Sequence, residues 1–311
     1  MLYVLFDWLR NPLSEYKLYS IFQILDQIEF RALAAAALSF LIMLVFGRRV
    51  IAMLVRLKIG DAGLSDAEAL QRHASSRKNV PTMGGVLIAG SIAASVLLLA
   101  DVRQFYVQVG LIILLFFGAL GAADDWLKLT ASRRSSTSRQ GLYAWEKLVF
   151  QLGVSSLIGW ALYRHGLPAP DAASVAAAAD GTAATAADSL AHVLNLPAQR
   201  TWIRGEGISP HLFYLGLPLY VLLATLMITG MSNAVNIADG MDGLAGGVTG
   251  IVTVGLATLA LIAGNSEWAQ TLLVPYVPFS NELAVLCGAM MGSCFGFLWW
   301  NTAPARIFMG D

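Results

Sequence analysis

Charged residues are scarce in this chain: Asp, Glu, Lys and Arg make up 13% of its 311 residues, while 57% are apolar. Soluble globular domains usually carry about 25% charged residues. The composition therefore excludes an ordinary soluble domain and predicts an integral membrane protein.

Residues typical of several common sites are also rare or dispersed. Only two cysteines occur, Cys287 and Cys294, and we expect reduced side chains with a packing role. The four histidines fall in separate connecting segments, so the sequence offers no Cys/His zinc arrangement. It also contains no glycine-rich loop of the Walker or dinucleotide type. We expect no nucleic-acid partner.

Seven apolar stretches predict an all-α, polytopic membrane bundle that forms a single domain over residues 1–311. Each stretch is close to the roughly 20 residues that a spanning helix needs. Their hydrophobicity is continuous rather than alternating, which argues against a β-barrel. The stretches cover residues 31–47, 83–100, 105–123, 147–163, 212–232, 243–263 and 283–300.

Two further segments differ in composition from these stretches. Residues 1–30 mix aromatic and charged side chains and lack the features of a cleaved signal peptide, so we expect them to lie at the membrane interface. Residues 164–211 are rich in alanine and predict an extracytoplasmic loop, a linker or marginal helix without chemistry.

Basic residues predict the orientation of the bundle. Residues 48–82 and 124–147 are rich in Lys and Arg, which favours the cytoplasmic side of the membrane. With seven spans, the loops after spans one, three, five and seven then share that side. The acids on it are Asp124, Asp125, Asp239, Asp242 and Asp311. The sequence therefore predicts one shared site at the cytoplasmic face.

The acids suggest a metal-assisted reaction. Carboxylate oxygens suit Mg²⁺, which retains several waters and is often completed by substrate phosphates. A diphosphate substrate fits such a site because phosphoryl transfer requires charge neutralisation by metal and basic groups. The alternative is that the acids and bases are solvated helix ends.

Four motifs, spread along the chain, resemble a known family. They are Pro81-Thr-Met-Gly-Gly85, the pair Asp124-Asp125, Asn233-Ala-Val-Asn-Ile-Ala-Asp-Gly-Met-Asp-Gly-Leu244 and Asn301-Thr-Ala-Pro-Ala-Arg-Ile-Phe-Met-Gly-Asp311. In this order they are similar to the phospho-N-acetylmuramoyl-pentapeptide transferases, a branch of the polyprenyl-phosphate sugar-1-phosphate transferases.

The resemblance implies an activity and a location. Phospho-N-acetylmuramoyl-pentapeptide would be transferred, with Mg²⁺, from UDP-N-acetylmuramoyl-pentapeptide to undecaprenyl phosphate. The products would be lipid I and UMP, in peptidoglycan synthesis at the bacterial inner membrane. A homodimer is compatible with this interpretation.

The resemblance also implies roles for individual residues. Asp124 and Asp125 match the catalytic pair, and Asp311 matches the metal-binding acid, with Asn236 as an additional ligand. The positions that match substrate-binding residues are Arg77, Thr82, Arg134, Asn233, Asp239, Gly240, Met241, Asp242, Asn301 and Phe308.

Some of these assignments carry alternatives. Gly240, Met241 and Asp242 match the stretch that contacts uracil, and Phe308 matches the aromatic that stacks on it, although Phe308 alone would fit packing. Thr82 alone would fit a helix cap. For the cation that binds phosphate we choose Arg134, with Arg133 and Arg139 as rivals.

The role of the Asp pair is open between a base for the lipid phosphate and a nucleophile that forms a covalent intermediate. We favour direct attack by the lipid phosphate. A phosphate monoester has a second pKa of about 6 and is largely dianionic at neutral pH, so it needs little help from a base.

Two rival functions remain at this point. The nearer is a transferase that uses UDP-N-acetylglucosamine, and the remoter is a membrane transporter, which would place acids in the middle of its spans. The family pattern continues beyond Asp311 through about three more spans and a His-rich loop. We therefore expect the C-terminal part of the family domain to be missing and this chain alone to be inactive.

Overall fold

The structure is a computed structural model that describes residues 2–10, 22–56, 80–134, 141–166, 192–194, 196, 202–203, 207–208 and 212–311, without the side chains of residues 129, 131–134, 202–203 and 207–208. These residues form nine α-helices: α1 (Leu2–Trp8), α2 (Ile28–Arg56), α3 (Gly84–Leu99), α4 (Phe105–Arg134), α5 (Ala144–His165), α6 (Leu217–Ala238), α7 (Leu244–Ala263), α8 (Ser266–Leu272) and α9 (Leu283–Asn301). Two 3-10 helices cover Gln23–Asp26 and Ser280–Glu282.

The helices confirm an all-α, multi-pass membrane protein. Among the described residues, five helical segments are long and apolar enough to cross a membrane: Ile28–Arg56, Phe105–Lys128, Leu217–Ala238, Leu244–Ala263 and Ser280–Asn301. The other two predicted stretches are also helical. However, α3 has only 16 residues, and α5 carries Glu146, Lys147 and Gln151 near its start.

A short pair of strands lies within the predicted extracytoplasmic loop. Strands β1 (Trp202–Ile203) and β2 (Gly207–Ile208) pair antiparallel, with Trp202 opposite Ile208. The sequence predicted only a linker or marginal helix in this region, because two-residue strands are too short to produce a recognisable alternation. Most of residues 164–211 lie outside the described part of the chain.

The chain divides into two compact units. The first comprises Met1–Lys147, Ala234–Leu261 and Asn281–Asp311, and the second comprises Leu148–Asn233 and Ile262–Ser280. Helices α5 and α6 each contribute residues to both units.

The first unit is built around close packing of α2 against α9. Gly288, Gly292 and Gly296 of α9 face α2, and a Cβ atom at Gly296 would come within 2.6 Å of the Met43 Cβ. Small residues allow membrane helices to approach this closely. The Trp300 indole N–H also donates to the Met43 carbonyl oxygen, at 3.1 Å. In the same core, Cys287 and Cys294 are buried and free, as predicted.

A buried ion pair joins the starts of α2 and α9. The Arg31 guanidinium, 1% exposed, donates to both carboxylate oxygens of Glu282, at 3.0 and 2.5 Å. It also donates to the Leu99 carbonyl oxygen at 3.2 Å, and the Asp101 N–H donates to Glu282 at 3.1 Å. Because each charge is buried, the pair is stabilising only while both partners are present.

In the second unit, polar side chains hold α5 against α6. The Asn233 amide donates to Gln151 Oε1 at 2.7 Å, and the Thr229 hydroxyl donates to Ser155 at 3.0 Å. Hydrogen bonds of this kind between membrane helices contribute about 0.6 kcal/mol each. Asn233 therefore belongs to a helix–helix contact in this unit.

Candidate active site

The predicted catalytic pair lies in the second half of α4, within the first unit. Asp124 is 3% exposed; one of its carboxylate oxygens accepts the Leu142 N–H at 2.7 Å, and the other contacts the Lys128 ammonium at 2.9 Å. Asp125 is also buried, and it accepts the Asp311 N–H at 3.2 Å. As expected for adjacent helical residues, the two carboxylates contact different partners.

Main-chain hydrogen bonds bring Asp311 to α4. The Phe308 N–H donates to the Pro81 carbonyl oxygen at 2.9 Å, and the Phe308 and Met309 carbonyl oxygens accept the N–H groups of Gly84 and Gly85 at 2.9 and 2.7 Å. These acceptors satisfy two of the free N–H groups at the start of α3. Residues 307–311 are therefore held on the segment before α3 by their backbone.

Two glycines allow this close approach. Gly310 has φ +81°, and a Cβ atom there would overlap the Asp125 carboxylate. Gly141 has φ +91°, and a Cβ atom there would lie 2.8 Å from Asp124 Oδ1. Only glycine adopts this backbone conformation without strain, so both positions favour glycine for two reasons.

Two lysines and an asparagine surround the Asp311 carboxylate. The ammonium groups of Lys128 and Lys147 lie 2.5 and 3.2 Å from the same oxygen, Oδ2. With its amide oriented to satisfy both neighbours, Asn236 donates to Asp311 Oδ1 at 3.3 Å and accepts from Lys147 at 3.2 Å. This arrangement includes both predicted metal ligands, Asp311 and Asn236.

The loop between α6 and α7 contributes further acids. The Gly243 N–H donates to the Asn301 Oδ1 at 2.8 Å, and the Asn301 amide donates to the Ile307 carbonyl oxygen at 2.8 Å. The buried Asn301 side chain thus connects the loop carrying Asp239 and Asp242 to the segment that leads to Asp311.

The charges of the site act on one another. Burial and, in decreasing order of importance, the negative charges of Asp311, Asp242 and Asp125 together raise the pKa of Asp239 to about 6. Burial also opposes ionisation of Asp311, but the Lys128 and Lys147 ammonium groups that contact its carboxylate hold its pKa below the usual range. One acid is therefore well compensated, whereas the other experiences an excess of negative charge.

Three of the predicted substrate-binding residues differ in how far they are exposed. Met241 is 66% exposed, Gly240 is exposed and Phe308 is half-buried. The alternative interpretation of Thr82 is wrong, because Met83 occupies the N-cap position of α3 and makes no side-chain cap hydrogen bond. Arg77 and the rival Arg139 lie outside the described residues, as do the side chains of Arg133 and Arg134.

The sequence placed Lys128 only among several basic residues on the face of the acids that could neutralise phosphate charge, and Lys147 only among those that indicate the orientation of the bundle. Lys128 had a usable signal, because it lies four residues after Asp124, the spacing of a helical ion pair. Lys147 had none, because its contact with Asp311 joins residues 164 positions apart.

The donor set resembles a magnesium site in chemistry. Within the described residues, no three His, Cys, Asp or Glu side chains are grouped closely enough to hold a metal ion by themselves. Mg²⁺ is nevertheless usually held by one or two carboxylates, with waters and substrate phosphates completing its shell. Burial, and after it the neighbouring negative charges, raise the pKa of Asp239, and a cation would relieve the effect of those charges.

Comparison with known proteins identifies the family. A model described as glycosyl transferase family 4 matches residues 107–311. A phospho-N-acetylmuramoyl-pentapeptide-transferase of Psychrobacter cryohalolentis is 36% identical over 305 residues, which cover 98% of this chain and 74% of the relative. The protein of the same name from Desulfotalea psychrophila is 34% identical over 290 residues, covering 93% of this chain and 70% of the relative. The chain therefore belongs to the phospho-N-acetylmuramoyl-pentapeptide transferase family.

Proposed function

We propose that the protein transfers phospho-N-acetylmuramoyl-pentapeptide from UDP-N-acetylmuramoyl-pentapeptide to undecaprenyl phosphate, forming lipid I and UMP. The observation that carries the proposal is the meeting of Asp124, Asp125 and Asp311 with two lysines in a chain of this family. Such a site combines groups that bind a cation with groups that bind phosphate.

The position of the site in the chain suits one substrate that is dissolved in the lipid and one that is dissolved in water. The carboxylates of α4 lie near the end of its apolar segment, Phe105–Lys128. A polyprenyl phosphate reaches such a place from the bilayer, and a UDP-sugar reaches it from water. The basic connections flanking this end support our proposal that it faces the cytoplasm at the bacterial inner membrane.

We assign Mg²⁺ to Asp311 and Asn236. When bound there, the ion would neutralise charge on the diphosphate, which is the main requirement of phosphoryl transfer. The carboxylates of the site outnumber its lysines, so a divalent cation would bring the local charge closer to balance.

The contacts of the Asp pair support direct attack. An oxygen of the lipid phosphate attacks the phosphorus attached to the sugar, the bond to the UMP oxygen breaks, and UMP leaves with the electron pair. Asp124 already accepts a backbone N–H and contacts Lys128, while Asp125 accepts the Asp311 N–H. Carboxylates engaged in this way are suited to positioning the groups of the site rather than to nucleophilic attack.

The remaining predicted residues form the proposed nucleotide end of the site. Gly240 and Met241 are exposed and available to uridine, with Asp242 beside them, and Phe308 is half-buried. We assign Asn301 to this end because its side-chain oxygen accepts the Gly243 N–H. We keep the assignment to substrate binding for Arg77, Thr82 and Arg134. Asn233 instead holds α6 to α5 through its hydrogen bond with Gln151.

The rival functions are less favoured. The relatives carry the muramoyl-pentapeptide name rather than that of an N-acetylglucosamine transferase. A transporter would need acids in the middle of its spans, but Asp124 and Asp125 lie within the last five residues of an apolar segment and Asp239 follows another.

Release of UMP by the whole gene product in lipid nanodiscs tests the proposal. We expect release with UDP-N-acetylmuramoyl-pentapeptide only when undecaprenyl phosphate and Mg²⁺ are present. Asp125→Asn should lower the rate by about 100-fold, because it disturbs the placement of the reacting groups. Glu267→Gln, which removes an exposed carboxylate from α8, is the matched control and should retain full activity. Equal UMP release from UDP-N-acetylglucosamine would refute the assignment of the sugar.

A further inference from the structure

Side-chain contacts between α5 and α6 recur about once per helical turn. With its amide oriented to satisfy both neighbours, Asn236 of α6 accepts from the Lys147 ammonium of α5 at 3.2 Å. One turn further into the two helices, the Gln151 Oε1 accepts the Asn233 amide N–H at 2.7 Å. Residues three or four apart lie on the same face of a helix, so the two contacts are neighbours along one seam. The first contact also involves Asp311, whereas the second is made by the helices alone.

The second contact is buried, and both of its amides are held in place. Gln151 is 2% exposed; its oxygen accepts from Asn233, and its nitrogen lies 3.5 Å from the Ser232 hydroxyl. The Asn233 amide also donates to the Thr229 carbonyl oxygen at 2.8 Å. A buried amide that loses its partner is costly in a membrane-spanning helix. The contact therefore resists a shift of one helix along the other at this level.

A shift between these helices would change the contacts of Asp311, because α5 and α6 each supply one of them. The Lys147 ammonium lies 3.2 Å from Asp311 Oδ2, and the Asn236 amide lies 3.3 Å from Asp311 Oδ1. Both distances are near the upper limit for a hydrogen bond, so a displacement of about 1 Å would break one of the contacts. The distance between Asn236 and Asp311 consequently depends on how α6 is held against α5.

We propose that Gln151 is a positioning residue for the cation site. Its hydrogen bond with Asn233 fixes α6 against α5 and so sets the distance between the Asn236 and Asp311 side chains. Gln151 acts through the helices rather than on the ion, and it lies outside the four sequence motifs. The inference rests on the proposed function only in taking Asp311 and Asn236 as ligands of a divalent cation.

The next contact along the same helices provides a matched comparison. The Thr229 hydroxyl donates to the buried Ser155 hydroxyl at 3.0 Å, one turn further from Asp311 than the Gln151 contact. Loss of either contact removes a hydrogen bond between α5 and α6, so both losses should weaken helix packing to a similar extent. A purely structural role for Gln151 would make the two losses equivalent at the cation site, whereas a positioning role would not.

The test compares Gln151→Met with Ser155→Ala in the whole gene product, in lipid nanodiscs. Binding of Mn²⁺ is measured by electron paramagnetic resonance without nucleotide, and thermal unfolding is recorded with a chelator present. Gln151→Met keeps the length of the side chain and should weaken Mn²⁺ binding by about tenfold, as loss of a residue that orients metal ligands does. Ser155→Ala should leave Mn²⁺ affinity within about twofold, although both variants should unfold at similarly lowered temperatures.

A double variant keeps the proposal open to refutation if Gln151→Met folds poorly. Gln151→Asn with Asn233→Gln exchanges the two amides and should recover Mn²⁺ affinity to within about threefold of the unmodified protein. Unchanged Mn²⁺ affinity in Gln151→Met, or equal weakening in Ser155→Ala, would overturn the positioning role. Absence of Mn²⁺ binding by the unmodified protein would overturn the metal assignment and this inference with it. Neither measurement uses a sugar or a lipid substrate, so failure of the proposed transfer would be recognised separately.

Discussion

The two ends of the first unit both contain buried ionic groups, but they differ in charge balance. At the end formed by the starts of α2 and α9, Arg31 and Glu282 match one another, and neighbouring backbone groups take up further hydrogen bonds. At the other end there are four carboxylates, those of Asp124, Asp125, Asp239 and Asp311, but only two lysines, which contact Asp124 and Asp311. The closed pair serves the fold, whereas the unbalanced cluster leaves charge for ligands to complete.

Breaking the closed pair should have the largest effect on stability. Glu282→Ala leaves the Arg31 guanidinium buried without its carboxylate, which should lower the free energy of unfolding by about 3–5 kcal/mol. Thermal unfolding in detergent measures the change. The double variant Arg31→Met, Glu282→Leu replaces the pair by apolar groups and should restore most of the loss. Equal destabilisation of the single and double variants would contradict a closed pair.

A change at the other end should reduce activity more than stability. Gly310→Ala forces a side chain onto the left-handed backbone beside Asp125, at a cost of about 1–2 kcal/mol. Displacement of Asp311 should reduce UMP release by about 100-fold. Gly247→Ala, at a helical position with open space around it, is the control and should keep full activity. Undiminished turnover in Gly310→Ala would argue against the importance of this close approach.

The smallest expected effect concerns the pH dependence of stability. In the fold, the pKa of Asp239 is raised to about 6 from an ordinary value of 3.8. Its proton therefore stabilises the fold at low pH, and this stabilisation is lost as pH rises from about 4 through 6. Asp239→Asn removes that loss, so the variant should gain stability relative to the unmodified protein between pH 5 and pH 7.

The gain should be below about 1 kcal/mol, because Asp239 is partly exposed and solvent screens its neighbours. Unfolding curves recorded with a chelator present keep bound metal from masking the effect. A difference between the two proteins that stays constant from pH 5 to pH 7 would show that the carboxyl does not titrate in this range.

The membrane architecture was predictable because a long apolar run indicates a spanning helix without any knowledge of its contacts with distant residues. The ends of the helices were harder to predict. The fifth stretch was predicted to end at residue 232, but α6 continues to Ala238. Polar residues in its last turns find partners on the helix and on α5, as when Asn233 donates to the Thr229 carbonyl oxygen and to Gln151. Tertiary contacts thus compensate for a low hydrophobicity that suggested a break.

In the site, too, some features were predictable from the sequence and others were not. The Asp-rich motifs identified its acids, and the spacing from Asp124 to Lys128 is visible in the sequence. The placement of Asp311 depends on backbone hydrogen bonds between residues 308–309 and 81–85, which leave no pattern in side-chain type. The same holds for Asn301, whose buried amide connects two backbone segments.

The main-chain attachment of residues 308 and 309 separates position from recognition. Their N–H and carbonyl groups fix where the segment lies, and the Met309 side chain adds packing against the buried cluster around Phe297 and Trp300. Because Phe308 is attached through its backbone, a substitution of its side chain can alter what the segment touches while Asp311 keeps its place. Variation at residue 308 can therefore change ligand preference without displacing the metal-binding acid of the proposed site.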